Sequence, residues 1–135
     1  MMLSRVSIEE AWPHIEEIVR QRMVDDTEAS PEDMYEACKA GVAVCLRNAD
    51  GFLVTWVQVN GHTSAREYVI WWGSRVAGEH GAFERVLPEV RKAALATGCE
   101  NIVFYSPLKG WLRKAPKAGF RVRNVEYVLP VERGH

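Results

Sequence analysis

Residues 42 to 73 constrain the fold more than any other part of the chain. VAVCLRN, FLVTWVQV and REYVIWWG are three runs rich in β-branched and aromatic residues. Asn48-Ala49-Asp50-Gly51 separates the first two, and Asn60-Gly61 opens the connection to the third. Runs of this length and composition, bounded by Asn, Asp and Gly, read as strands. A connection as short as Asn48–Gly51 joins antiparallel neighbours, so residues 42 to 59 read as a hairpin. A sheet of this kind has an apolar face to bury, and the flanking segments must cover it.

The flanks supply helices. Ser7 and Glu10 stand in capping-box spacing, and Ile8, Trp12, Ile15, Val19 and Met23 recur at helical intervals. Pro13 is expected to kink this helix or mark its effective start. A second helix is signalled by Ser30 as N-cap, Pro31 at the first helical position, acids in the first turn and Gly41 past the end. Beyond the third strand, Phe83, Val86, Leu87, Val90 and Ala94 mark a helix that ends at Gly98. Pro88 is expected to kink it or delay its start. NIVFYS has the composition of a strand buried on both faces. LKGWLRKAPKAG allows one short helix stopped near Pro116, and FRVRNVEYVLPV closes the chain as a strand or hairpin. With MLSRV as an opening strand, the order is β, α, α, β, β, β, α, β, α, β(β). The expected architecture is a single α/β domain over residues 1–135. Its mixed sheet is an antiparallel meander leading into one β-α-β crossover, with helices on the faces.

Composition narrows the function classes. Apolar residues make up 47% and charged residues 26%, as in ordinary soluble domains. No apolar run approaches the ~20 residues of a membrane span. MMLSRVSIEE turns acidic before a signal-peptide core could develop, so a cytoplasmic location is expected. Cys38, Cys45 and Cys99 are an odd number without close pairing, and His14, His62, His80 and His135 are scattered. Buried thiols, and no metal site, follow from that spacing. Charge is polarised although the net value is −1: ten acids and two bases lie between residues 9 and 36. Six bases (Lys109, Arg113, Lys114, Lys117, Arg121, Arg123) and no acid lie between 109 and 123. Such poles bear on partners more than on fold.

ATGCENIVFYSPLKGWLRKAPKAGFRV, residues 96 to 122, carries a helix ending in Ala-x-Gly-Cys, a buried strand, and a short helix running into Ala-Gly-Phe. With the element order, it resembles the GNAT superfamily of acyl-CoA-dependent N-acyltransferases over nearly the whole chain. The Lys-Gly-Trp-x-x-Lys and Gly-Phe wording is similar to small GNAT-like proteins of bacteriophages. The resemblance implies acetyl-CoA as donor and an Arg/Gln-x-x-Gly-x-Gly/Ala loop that cradles the CoA pyrophosphate after the third meander strand. Small residues there let several N–H groups approach one anion at a helix start. In RVAGEHGAF, Arg75 and Gly78 fit the loop, His80 stands where the last small residue belongs, and Gly81 comes one place late.

The resemblance also implies a tyrosine four residues before the Gly-Phe pair, to protonate the departing thiolate. That position is Ala115, which cannot act as an acid, and Tyr105 is the nearest substitute along the chain. A base for the amine would be a carboxylate, acting directly or through water: Glu67, with Glu79 and His80 as further candidates. Trp71 and Trp72 face opposite ways if their strand is regular; core packing is the first expectation for both, and one of them could instead line a ligand groove.

Three functions fit these residues. The first is a non-catalytic GNAT-fold protein, a phage structural or assembly component in host cytoplasm or virion, working through a protein partner or self-association. Its acyl-CoA site would be degenerate, closed by His80. The second is an acetyl-CoA-dependent N-acetyltransferase acting on a small-molecule or protein amine. The third, ranked below both, binds nucleic acid through residues 109 to 123, with Trp111 and Phe120 as stacking surfaces.

Overall fold

The structure, a computed structural model, describes residues 3–22, 30–75, 82–105 and 111–131. Met1–Tyr105 form one compact unit and Ser106–His135 a second. The first unit is a five-stranded sheet in chain order: β1 (Ser4–Val6), β2 (Ala43–Asn48), β3 (Gly51–Val59), β4 (Arg66–Arg75) and β5 (Asn101–Phe104). β1 to β4 pair antiparallel, while β4 and β5 run parallel and are joined through a helix. This is the expected meander followed by a crossover.

The β2–β3 turn is closed by Asn48, whose Oδ1 accepts from the amides of Asp50 (2.8 Å) and Gly51 (3.1 Å). Asn60 repeats the device before β4, accepting from His62 and Thr63.

One face of the sheet is covered by α1 (Ile8–Arg22) and α2 (Pro31–Lys39). Ile8, Ala11, Ile15 and Val19 bury a stripe of α1 with Met34 of α2 against Ala43, Cys45, Phe52, Val54 and Trp72. Trp12 and Tyr35 join the helices edge to face at 5.1 Å. Ser7 Oγ accepts from Glu10 N at the start of α1, and Ser30 with Asp33 forms a complete capping box on α2. The other face carries α3 (Ala82–Ala96), whose Val86, Val90 and Ala94 pack with Leu53, Tyr68 and Ile70.

Three expectations are corrected. Neither interior proline sets a helix start: α1 begins at Ile8 and runs through Pro13, and α3 begins at Ala82 and runs through Pro88. Each forfeits one helical hydrogen bond, and the buried stripe on either side outweighs that loss. Trp71 and Trp72 do not face opposite ways. Val54 pairs with Trp72 and Thr55 with Ile70, so Trp71 is an extra residue, a β-bulge, and both indoles pack on the α1/α2 side. Finally, residues 120–131 contain no strand. A strand persists only where its backbone groups find ladder partners, and apolar alternation alone does not supply them.

In the second unit, α4 (Trp111–Lys117) ends where Phe120 N bonds back to Ala115 O at 3.0 Å, with Gly119 at φ +96°. That closure needs a left-handed residue, which glycine supplies without strain. Val122, Val125, Tyr127, Val128, Leu129 and Val131 are all exposed. Among the described residues, no helix is long and apolar enough to cross a membrane.

Candidate active site

A polar row crosses the α1/α2 side of the sheet where the apolar core ends. Register places Gln58 of β3 opposite Glu67 of β4, and Glu67 beside Asn101 of β5. Glu67 is 0% exposed. A carboxylate stripped of water needs donors in compensation, or its burial costs several kcal/mol (about 3–5 when one partner of a buried pair is lost). Gln58 Nε2 donates to Oε1 at 2.9 Å and Asn101 Nδ2 to Oε2 at 3.1 Å, so each carboxylate oxygen has an amide donor.

Tyr105 follows directly on β5 and reaches the same amide. Gln58 Nε2 donates to its hydroxyl oxygen at 3.1 Å, and that hydroxyl lies 3.5 Å from Gln58 Oε1. The ring is 65% exposed, so the network has a buried carboxylate at one end and an accessible phenol at the other. Sequence reasoning singled out Glu67 and Tyr105 separately, and the structure joins them through one side chain. It missed Gln58 and Asn101. The available signal was an amide inside the apolar run FLVTWVQV, at the position that a hairpin register sets across from Glu67.

The β4–β5 ladder begins at this row and stops three residues further along. Its last pair is Ile70 with Phe104, whereas β4 continues through the bulge at Trp71 to Arg75. The upper half of β4 therefore has no β5 partner among the described residues. Trp72 lies in this half with a buried indole Nε1 that has no acceptor among the described residues. Arg75 ends β4, and only its backbone is described. Gly78, Glu79, His80 and Gly81 lie outside the described residues, and so does the closure of the site by His80. α3 starts at Ala82, next to that loop, so Pro88 does not displace the helix start as the sequence suggested.

Other candidates lie elsewhere. Ala115 is in the middle of α4, where Arg113, Lys114 and Lys117 are exposed. Cys45 and Cys99 are buried and Cys38 is partly so. Burial pushes the Cys38 thiol up to about 11. It pushes Cys45 up to about 12, with a smaller contribution from neighbouring Cys38, so neither thiol is a ready nucleophile at neutral pH. Among the described residues, no group of three His, Cys, Asp or Glu could hold a metal ion.

Comparison with solved structures places this architecture. The chain is similar over 99% of its length to all of a probable acetyltransferase (TM-score 0.67, 14% identity). An aminoglycoside acetyltransferase from an uncultured soil metagenomic sample, in complex with sisomicin, matches over 96% of this chain and 95% of its own (TM-score 0.63, 10% identity). A transcriptional regulator from Bacillus halodurans matches over 96% and 99% (TM-score 0.68, 11% identity). No protein-family profile matches the chain, and no curated protein matches it by sequence. At these identities the likeness shows the fold, which is that of the GNAT acetyltransferases.

Proposed function

We propose that the chain is an acyl-CoA-dependent N-acyltransferase, taking acetyl groups from acetyl-CoA to a small-molecule or protein amine. The observation that carries this reading is the joining of Glu67 to Tyr105 through Gln58. An alkylamine is protonated near neutral pH and must lose a proton to attack a thioester, and the departing thiolate must gain one. Glu67 serves as the base through an intervening water, because it is itself fully buried. Tyr105, at the exposed end, serves as the acid that Ala115 cannot be.

Two further features support it. Where β5 has ended, β4 offers the backbone of its bulge, and amides there suit the oxygen of a polarised thioester carbonyl. Arg75 and Gly78, between this strand and the start of α3, would hold the pyrophosphate, with His80 and Gly81 completing the loop. The test is calorimetric titration with acetyl-CoA, followed by acetyl transfer to a panel of amines. Micromolar affinity that Arg75→Glu sharply weakens is expected. No binding and no transfer overturns the reading, and binding untouched by Arg75→Glu overturns the loop assignment.

A second reading is a non-catalytic interaction protein, including a phage structural component that self-associates or binds a protein partner. The exposed apolar residues of 120–131 favour it, since patches of that kind mark interaction surfaces. Absence of acetyl-CoA binding, with concentration-dependent self-association, would select it.

A further inference from the structure

Resting on the acyltransferase reading, we propose that Gln58 is a positioning residue that couples Glu67 to Tyr105 and acts through both without touching substrate.

The geometry leaves little freedom in this side chain. A primary amide has two hydrogens, and here both are committed: one to Glu67 Oε1 (2.9 Å), the other to Tyr105 Oη (3.1 Å). The carboxylate fixes the amide's orientation, because turning it over would set its carbonyl oxygen against a carboxylate oxygen. Strand pairing fixes the backbone, with Gln58 directly opposite Glu67. Tyr105, by contrast, lies past the last residue of β5 and is 65% exposed. With the ring largely exposed, the Gln58 amide is the hydrogen-bond partner, among the described residues, that orients its hydroxyl. Asn101 completes the arrangement by holding Glu67 Oε2 at 3.1 Å, which keeps Oε1 turned to Gln58. An exposed phenol and a buried carboxylate thus share one rigid reference point.

The experiment has a structural arm and a kinetic arm. The chain has only two glutamines, Gln21 and Gln58, so the side-chain amide pair of Gln58 is readily assigned in a nitrogen–proton correlation spectrum by its loss in Gln58→Met. Tyr105→Phe and Glu67→Gln should each shift that pair, while the melting temperature of Tyr105→Phe stays at the wild-type value. In acetyl transfer, Gln58→Met should lower kcat roughly 10-fold or more, within the range of acid–base contributions, and leave KM for acetyl-CoA unchanged. Gln58→Met added to Tyr105→Phe should cost little further, because both changes break one unit. Gln58→Glu, which keeps shape and acceptor but loses the donor, should fail to rescue. An unmoved amide pair, additive losses, or full activity of Gln58→Glu would each overturn the proposal. A wild-type chain that neither binds acetyl-CoA nor transfers acetyl refutes the acyltransferase reading alone, and the amide signals still decide whether Gln58 makes the bridge.

Discussion

Glu67→Gln separates chemistry from architecture. The substitution keeps volume and shape and removes a charge from a side chain that is 0% exposed. The new amide presents one donor where the carboxylate presented only acceptors. One neighbour must therefore turn over, and Asn101, at the exposed end of the row, is the freer of the two. Both amide contacts survive that rotation, and losing the desolvated charge offsets any poorer geometry. Stability should change by less than about 1 kcal/mol, or under ~5 °C in Tm for a chain of this size. Catalysis should respond quite differently, because a neutral amide cannot take a proton. A general base contributes about 10²–10⁴ in rate, equivalent to roughly 3–5 kcal/mol of barrier. The assay pairs kcat for acetyl transfer with differential scanning calorimetry and the Kd for acetyl-CoA. A rate within about threefold of wild type would refute the base assignment. A Tm drop of more than ~10 °C accompanying the lost rate would refute the separation of roles.

Three further outcomes are expected. Tyr68 and Thr55 share a buried hydrogen bond of 3.0 Å on the α3 side; Tyr68→Phe or Thr55→Val alone should cost about 1–2 kcal/mol in urea unfolding, and the double change less than the sum, whereas additivity would show the bond idle. Burial raises the folded pKa of Cys45 to about 12, so its contribution is fully present below the unfolded value near 9 and is lost as pH rises from there towards 12; Cys45→Ala should flatten that alkaline decline in Tm even though its baseline is lower. A Cβ on Gly73 would meet the far end of the Leu53 side chain, Cδ2, at 2.9 Å, a contact that a small rotation of that side chain relieves, so Gly73→Ala should cost less than about 1 kcal/mol in urea unfolding, and a loss above about 3 kcal/mol would show that Leu53 cannot give way.

The legible parts of the fold are those fixed by neighbours in sequence. Asn48 and Asn60 close their turns with their own side chains, Ser30 and Asp33 cap α2 within three residues, and Gly98 at φ +72° ends the α3 segment. As markers of a helix start the prolines misled, because Pro13 and Pro88 are local signals overruled by packing contributed from the sheet. FRVRNVEYVLPV misled for the complementary reason: alternation records a capacity to pair, and pairing needs a partner strand, which this segment does not have among the described residues. The candidate site was half legible. Glu67 and Tyr105 are conspicuous as residue types, but Gln58 and Asn101 stand 9 and 34 positions from Glu67 and gain meaning only from register. The bulge hid the common side of Trp71 and Trp72, since a counting rule of period two has no place for an extra residue.

That extra residue divides β4 into two reading frames. From Arg66 to Ile70 the odd-numbered positions face the α1/α2 side, while beyond the bulge it is Trp72, an even one, that does. Removing Trp71 would leave Ile70 opposite Thr55 and Trp72 opposite Val54, as they already are, in an uninterrupted ladder. Cross-strand pairing therefore does not require this residue, and a chain shortened by one at that point keeps its alignment throughout. Deleting a paired residue between Tyr68 and Gly73 instead sets its neighbours opposite new partners. Trp71 is thus the place in the sheet where chain length can vary without shifting the register, so that its loss would be felt in the packing of its indole against the α1/α2 side and not in strand alignment.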